Sequence, residues 1–100
     1  MSIFRTLSTS QDTAFLLLES TSQYNTFDMN VDTISITNIG TTSVNVDLHL
    51  HPNAGSDHTV MKANIPAGVT LIYDTPFSFL HTSKLRITPD NNNELNITIN

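Results

Sequence analysis

The 100-residue sequence contains no cysteine and no tryptophan. Without cysteine, the chain can form neither a disulfide framework nor a thiolate metal site. Small secreted domains usually rely on disulfides, so we expect this protein to fold in a reducing cytosol. Carbohydrate sites on β-sandwiches usually present exposed aromatic rings, and Tyr24 and Tyr73 are the only tyrosines. The five phenylalanines are more simply interpreted as core residues, so a stacking platform for sugars is poorly supplied.

Charge is also scarce. Charged residues make up 13% of the chain, about half of the roughly 25% found in an average globular domain. The four basic residues, Arg5, Lys62, Lys84 and Arg86, stand against nine acidic ones, and the formal net charge is −5. Binding to nucleic acid requires basic side chains that replace phosphate counterions. We therefore expect no nucleic-acid partner.

Long apolar runs are absent as well. The longest, residues 14–18, is far shorter than the roughly 18 residues that a membrane helix needs. The N-terminal sequence MSIFRTLSTSQDT lacks the apolar core of a signal peptide. We expect a soluble protein without a membrane partner.

The sequence instead contains short stretches of alternating apolar and polar residues, and the clearest lie within residues 31–69. Val44, Val46, Leu48 and Leu50 alternate with Asn45, Asp47, His49 and His51. Such alternation, interrupted by Gly, Pro and Asn, is typical of half-buried antiparallel strands joined by turns. The apolar run at residues 14–18 predicts a further strand, buried on both faces. The pattern predicts an all-β protein: a single Ig-like antiparallel β-sandwich of seven or eight strands with Greek-key topology.

The N-terminal residues 1–11 are predicted to form a first edge strand, an arm that becomes ordered against a partner, or a loosely held terminus, while residues 12–100 form the sandwich domain. Ile3, Phe4 and Leu7 are the predicted partner contacts, because exposed apolar side chains in a polar terminus have no other evident use. On this hypothesis, deletion of residues 1–11 leaves the domain folded and abolishes assembly.

Asp47, His49 and His51 share one side of a predicted strand, and His58 lies on the facing strand. Closely spaced histidines on a strand can bind zinc, nickel or copper when a third ligand converges. The simpler interpretation is that these residues are the solvent-facing side of an alternating strand, with Asp47 hydrogen-bonded to a neighbour. We therefore expect no metal and no other cofactor, and these four residues are the candidates if a metal is bound.

Motifs for catalysis are missing. The chain has no Gly-x-Ser-x-Gly nucleophile elbow, and residues 90–94 lack the ligand spacing and central glycine of an EF-hand calcium loop. We expect a protein that is not an enzyme.

The order of segments resembles a known family. Residues 34–48 have the form I-x-I-x-N-x-x-x-x-x-V-x-V-x-L, and they are followed by I-P-A-G-V-T-L at 65–71, K-L-R-I-T at 84–88 and L-N-I-T-I at 95–99. This arrangement resembles small Ig-like β-sandwich proteins encoded among the virion structural genes of tailed bacteriophages, which occur as capsid decoration, neck or tail-associated subunits. The resemblance implies a non-enzymatic virion protein, made in the bacterial cytoplasm, that binds other virion proteins and copies of itself. The alternative is a free-standing carbohydrate- or metal-binding module, with a host-surface glycan as a partner.

Overall fold

The computed structural model describes residues 2–19 and 28–100, and this part of the chain forms ten β-strands without any helix. None of the described residues therefore belongs to a helix long and apolar enough to cross a bilayer. In chain order, the strands are β1 (Ile3–Ser8), β2 (Phe15–Glu19), β3 (Met29–Val31), β4 (Ile34–Asn38), β5 (Val44–His51), β6 (His58–Ile65), β7 (Thr70–Tyr73), β8 (Phe77–Phe79), β9 (Lys84–Pro89) and β10 (Glu94–Ile99).

The strands pair in a nested order. β1 pairs with β10, β2 with β9, β3 with β8, β4 with β7 and β5 with β6, all antiparallel. Two further pairings, β10 with β4 and β5 with β9, join these pairs sideways. The result is sheet 1 in the order β1-β10-β4-β7, sheet 2 in the order β2-β9-β5-β6, and a ribbon of β3 and β8. Nested strand pairs wrapped into two sheets form a jelly roll.

The prediction of an all-β antiparallel sandwich is confirmed. The described residues form ten strands rather than seven or eight, because β3 and β8, of three residues each, are too short to show an alternating pattern. The strand order also differs from that of an Ig-like sandwich, in which the first two strands are neighbours in one sheet. Here β1 and β2 belong to different sheets. Jelly rolls and Ig-like sandwiches share Greek-key connections, so strand patterns alone do not separate them.

Among the residues that the structure describes, one cluster of buried apolar side chains fills the space between the sheets. The alternation of β5 places Val44, Val46 and Leu48 in this core with at most 2% of their surface exposed. Complete burial of one such side chain contributes about 1.5–3 kcal/mol of transfer free energy. Sheet 1 supplies Ile34, Ile36, Leu95, Ile97 and Ile99, and the rest of sheet 2 supplies Leu17, Leu18, Ile65, Leu85 and Ile87.

The apolar run in β2 lies at the edge of sheet 2, where it contains a bulge. Phe15 and Leu16 pair with Ile87 and Arg86, the next pairing is Leu18 with Leu85, and Leu17 is the additional residue. The bulge changes the alternation, so that Leu17 and the following Leu18 are both buried, whereas Leu16 remains 37% exposed. The run is therefore buried through the bulge rather than by a central position in the sheet.

Residues 3–8 form an edge strand of sheet 1, β1, which pairs along its whole length with β10. The segment that follows is also attached to the domain. The Thr9 N–H donates to the Asn93 carbonyl at 2.7 Å, the Thr9 hydroxyl donates to the Asn91 carbonyl at 3.0 Å, and the Gln11 N–H donates to Asn92 Oδ1 at 2.8 Å.

Candidate functional site

The outer faces of the two sheets differ in chemistry. Opposed residues of an antiparallel pair point to the same side, and successive residues alternate sides. Because Ile36 and Ile97 are opposed and buried, their neighbours in the two strands point outward. We call the outward residues of sheet 1 the hydroxyl face: Phe4, Thr6, Ser8, Ser35, Thr37, Thr70, Ile72, Glu94, Asn96 and Thr98. Glu94 is the one charged residue of this set.

One row of the hydroxyl face runs across all four strands. Phe4 is opposed to Thr98, Thr98 to Ser35, and Ser35 to Ile72. The side chain of Phe4 is 76% exposed and that of Ile72 is 64% exposed. Phe4 and Ile72 are therefore large exposed apolar side chains at the two edges of the sheet, and the small polar side chains of Thr98 and Ser35 lie between them.

Four of the polar side chains of the hydroxyl face are hydrogen-bonded in pairs. The Thr6 hydroxyl donates to Asn96 Oδ1 at 3.0 Å, and the hydroxyls of Thr37 and Thr70 share a hydrogen bond of 2.8 Å. Just beyond the strand ends, the Ser2 hydroxyl donates to the Asn100 side chain. Buried polar groups are costly only when they lose their partners, so these pairs reduce the cost of covering the face.

The outward side of sheet 2, which we call the charged face, has the opposite character. Its residues are Leu16, Glu19, Asn45, Asp47, His49, His51, Thr59, Lys62, Asn64, Lys84, Arg86 and Thr88. Three of the four basic residues of the chain lie here. Lys62 Nζ is 3.8 Å from Asp47 Oδ2 and Lys84 Nζ is 3.7 Å from Glu19 Oε2. Exposed ion pairs of this kind contribute little to stability and leave a well-solvated surface.

The three predicted partner contacts do not share one environment. Ile3 and Leu7 point inward and pack against the core as partly buried side chains, because they are opposed to Ile99 and Leu95. Phe4 alone is exposed, although the sequence interpretation had also placed it among core phenylalanines. The exposure on which the hypothesis depended therefore holds for Phe4 and not for Ile3 or Leu7.

The histidine candidates are divided between two environments. Asp47, His49 and His51 lie together on the charged face, where His49 is 6% exposed. His49 Nδ1 is 3.6 Å from Asp47 Oδ1 and His49 Nε2 is 3.8 Å from Asp57 Oδ2. His51 Nδ1 donates to Asp57 Oδ1 at 2.7 Å, because an ionised carboxylate only accepts.

His58 does not join this cluster. The register between β5 and β6 shifts after Leu48, and His58 is opposed to Leu50, whose side chain packs toward the core. His58 instead lines a cavity of about 200 Å³ together with Tyr73 and Phe77. His58 lies on the strand facing β5, as the sequence predicted, but the register shift puts it on the opposite side from Asp47, His49 and His51, and such a shift cannot be seen in the sequence. Within residues 2–19 and 28–100, no three His, Cys, Asp or Glu side chains are grouped so as to hold a metal ion.

Hydrogen bonds at this face keep two carboxylates ionised. The bond from His51 lowers the pKa of Asp57 below its ordinary value of 3.8, and the charges of His51, His49 and Arg86 act in the same direction. Bonds from the Asn45 side chain and backbone N–H, at 2.7 and 2.9 Å, lower the pKa of Asp90. Both carboxylates stabilise loops that flank the charged face.

A depression of about 500 Å³ lies at one end of the charged face, lined by residues that include Asp12, Asn45, Asp47, Lys62 and Asp90. Its described lining contains no aromatic side chain, so a sugar would meet polar groups but no stacking surface. Of the two tyrosines considered for such a site, Tyr73 lines the smaller cavity, and Tyr24 lies outside the described residues.

Sequence reasoning missed Ile72 and Asp57. A signal for Ile72 was present: Leu71, Ile72 and Tyr73 are three apolar residues in a row, and in a four-stranded sheet with one buried face such a run exposes its middle member. Asp57 gave no signal, because its contact with His51 depends on the path of the turn between β5 and β6. A scan of protein-family models and a search of curated proteins give no match to this chain.

Proposed function

We propose that this chain is a non-enzymatic structural subunit of a tailed-phage virion, which binds as a capsid decoration protein or as a subunit of the head–tail region. The observation that carries the proposal is the contrast between the two outer faces. The hydroxyl face has one charged residue and exposes Phe4 and Ile72, whereas the charged face holds Lys62, Lys84 and Arg86.

The hydroxyl face is inexpensive to bury. Serine and threonine side chains lose little conformational entropy when they are fixed in a contact, compared with lysine or glutamate. The bonds from Thr6 to Asn96 and between Thr37 and Thr70 are already made within the chain. Covering the face therefore removes Phe4 and Ile72 from water without leaving these four polar groups unpaired.

The charged face suits the opposite role. Its lysine, arginine and carboxylate side chains lose hydration when they are buried, and pairing at the surface returns little of that free energy. In the proposed arrangement the hydroxyl face lies against neighbouring virion subunits, which are copies of this chain or other capsid, neck or tail proteins. The charged face then points toward solvent.

Two further considerations favour a virion protein. The sequence pattern at residues 34–48, 65–71, 84–88 and 95–99 resembles that of small virion structural proteins of tailed phages. The jelly roll is also a fold that viral capsid domains use. Because one fold hosts many functions, the jelly roll supports the proposal by analogy.

Mass spectrometry of purified particles tests the proposal. Particles assembled in cells that express the wild-type chain should contain it at a fixed ratio to the major capsid protein. A Phe4→Ser/Ile72→Ser double variant should be incorporated about tenfold less or lower, which corresponds to a loss of ~1.4 kcal/mol or more of binding free energy. Leu80→Ser, at a residue that is 61% exposed outside both faces, is the matched control and should be incorporated normally.

Absence of the wild-type chain from particles would reject the proposal in favour of a free-standing carbohydrate- or metal-binding module. Equal incorporation of the double variant and the control would show that the chain binds the particle through another surface.

A further inference from the structure

We infer that a second copy of this chain covers the hydroxyl face, in a two-fold contact that sets Phe4 of each copy against Ile72 of the other. This inference rests on the proposed function, because it names the first partner of the surface through which the subunit binds. The two-fold contact has one defined geometry, and experiments on the isolated protein test it.

The row of Phe4, Thr98, Ser35 and Ile72 makes the face self-complementary. Neighbouring strands lie about 4.8 Å apart, so Phe4 on β1 and Ile72 on β7 are separated by roughly 14 Å across sheet 1. A two-fold axis parallel to the strands, midway between β10 and β4, places β1 of one copy over β7 of the other. Because Phe4 and Ile72 belong to the same row, each is then directly opposite the other residue in the second copy.

The low charge of the hydroxyl face also favours a second copy of this chain as its partner. Apart from Glu94 at one end, the hydroxyl face offers neither the carboxylates that would attract a basic protein nor the lysines that would attract an acidic one. Its complement is a surface of equally low charge, and the described part of the chain presents such a surface in the hydroxyl face itself. With a net charge of −5, two copies repel each other at long range, and the approach that brings the fewest charges together is face to face.

The size of the face sets the strength of the contact. Each of the four strands is about five residues long. Ordinary strand spacing and rise then give sheet 1 an area of roughly 300 Å² per copy. A dimer through this area buries roughly 600 Å² in total, about half of the lower end of the ~1,200–2,000 Å² buried in standard stable complexes. We therefore expect a dissociation constant on the order of tens of micromolar, which many copies on one particle would reinforce through avidity.

Sedimentation velocity of the purified protein from about 1 µM to 1 mM, a range chosen to bracket this affinity, gives the first measurement. The wild-type chain should pass from monomer to dimer. Phe4→Lys and Ile72→Asp should each raise the dissociation constant by about thirtyfold or more, because each places a charge opposite an apolar side chain. Leu80→Asp, an equally drastic change at a similarly exposed residue outside the face, should dimerise as the wild type does.

Mixing the two variants provides the decisive test of geometry. In a mixed dimer of Phe4→Lys with Ile72→Asp, the introduced lysine faces the introduced aspartate, and the remaining Ile72 faces the remaining Phe4. The mixture should therefore dimerise at least tenfold more tightly than either variant alone. A contact in which Phe4 faces Phe4, or in which two β1 edges pair, gives no such rescue.

A wild-type chain that stays monomeric to about 1 mM overturns the inference, and so does a dimer that persists in either single variant or fails to re-form in the mixture. Thermal unfolding of each variant establishes that it is folded before its association is compared. None of these measurements uses a virion. The inference can therefore fail while the chain is found in particles, and the proposed function can fail while the isolated protein dimerises.

Discussion

The side-chain Nδ2 of Asn38 donates a hydrogen bond of 2.9 Å to the backbone carbonyl of Ile65, and this bond connects β4 in sheet 1 with β6 in sheet 2. The same amide nitrogen donates to the Thr42 carbonyl at 2.8 Å, and Asn38 Oδ1 accepts from the Gly40 N–H at 2.9 Å. Asn38 has no exposed surface. A single buried amide therefore holds the turn after β4 and the end of β6 in place.

Asn38→Ala should lower the free energy of unfolding by about 2–4 kcal/mol, because the Ile65 carbonyl loses its side-chain partner in a buried setting and the residue leaves a cavity. Chemical denaturation at neutral pH measures the change. Asn96→Ala is the control, since Asn96 is exposed and bonded only to Thr6 among the described side chains. A loss below ~0.5 kcal/mol in Asn38→Ala would mean that water replaces the amide.

The bulge in β2 gives two adjacent leucines different degrees of burial, so their truncation should lower the free energy of unfolding by different amounts. Leu17 has no exposed surface and Leu16 is 37% exposed on the charged face. Leu17→Ala should cost about 2–5 kcal/mol and Leu16→Ala less than ~1 kcal/mol. Urea denaturation of both variants checks the difference. Equal losses would indicate that β2 pairs without the bulge in solution.

Some parts of the fold could be predicted from the sequence and others could not. The strict alternation of β5 predicted its buried side correctly, because a strand period of two requires nothing beyond the local pattern. Residues 14–18 predicted a strand but not its bulge. A run of five apolar residues gives the same sequence pattern in a central strand as in a bulged edge strand. The nested order of strands was not predictable, because it depends on pairs such as Ile3 with Ile99, and no local pattern specifies partners that far apart.

The candidate sites divide in the same way. Asp47, His49 and His51 were placed on one face correctly, because they lie on one regular strand. His58 lies on the facing strand as predicted, but the register shift between β5 and β6 points it away from this face. Asp57 was missed because the turn between the two strands decides where its side chain points. Phe4 was selected for an exposure that its neighbours Ile3 and Leu7 lack, since three apolar residues in a terminus do not reveal which of them faces inward.

Acid should remove the contribution of the Asp57–His51 pair. The pKa of Asp57 is lowered in the folded protein, mainly by the hydrogen bond from His51, so folding favours the ionised carboxylate. The stabilisation is complete above the unfolded pKa of about 3.8 and is lost as the pH falls through the lower folded pKa. The difference in unfolding free energy between wild type and Asp57→Asn should therefore be present at pH 5 and disappear toward pH 2.

Denaturation curves at several pH values measure this difference. Asp74→Asn, at an exposed carboxylate in the loop after β7, is the matched control for replacing a carboxylate by an amide. An Asp57→Asn difference that stays constant down to pH 2 would contradict a lowered pKa in the folded state.

Removal of residues 1–11 should unfold or severely destabilise the domain, contrary to the hypothesis that these residues are a separable arm. The deletion removes β1 from sheet 1, together with the packing of Ile3 and Leu7 against the core and the bonds of Thr9 to the turn before β10. Lost apolar burial and lost hydrogen bonds together amount to on the order of 5 kcal/mol, which is comparable to the total stability of ~5–15 kcal/mol of an ordinary domain.

Phe4→Ser is the matched variant that leaves β1 in place. Phe4 is 76% exposed, so this change should alter the unfolding free energy by less than ~0.5 kcal/mol while still removing the exposed ring from the hydroxyl face. Thermal unfolding followed by circular dichroism compares the two variants. If the truncated chain melted cooperatively at the wild-type temperature, β1 would be a detachable arm after all, and loss of assembly on deletion could then be assigned to a missing contact rather than to a missing strand.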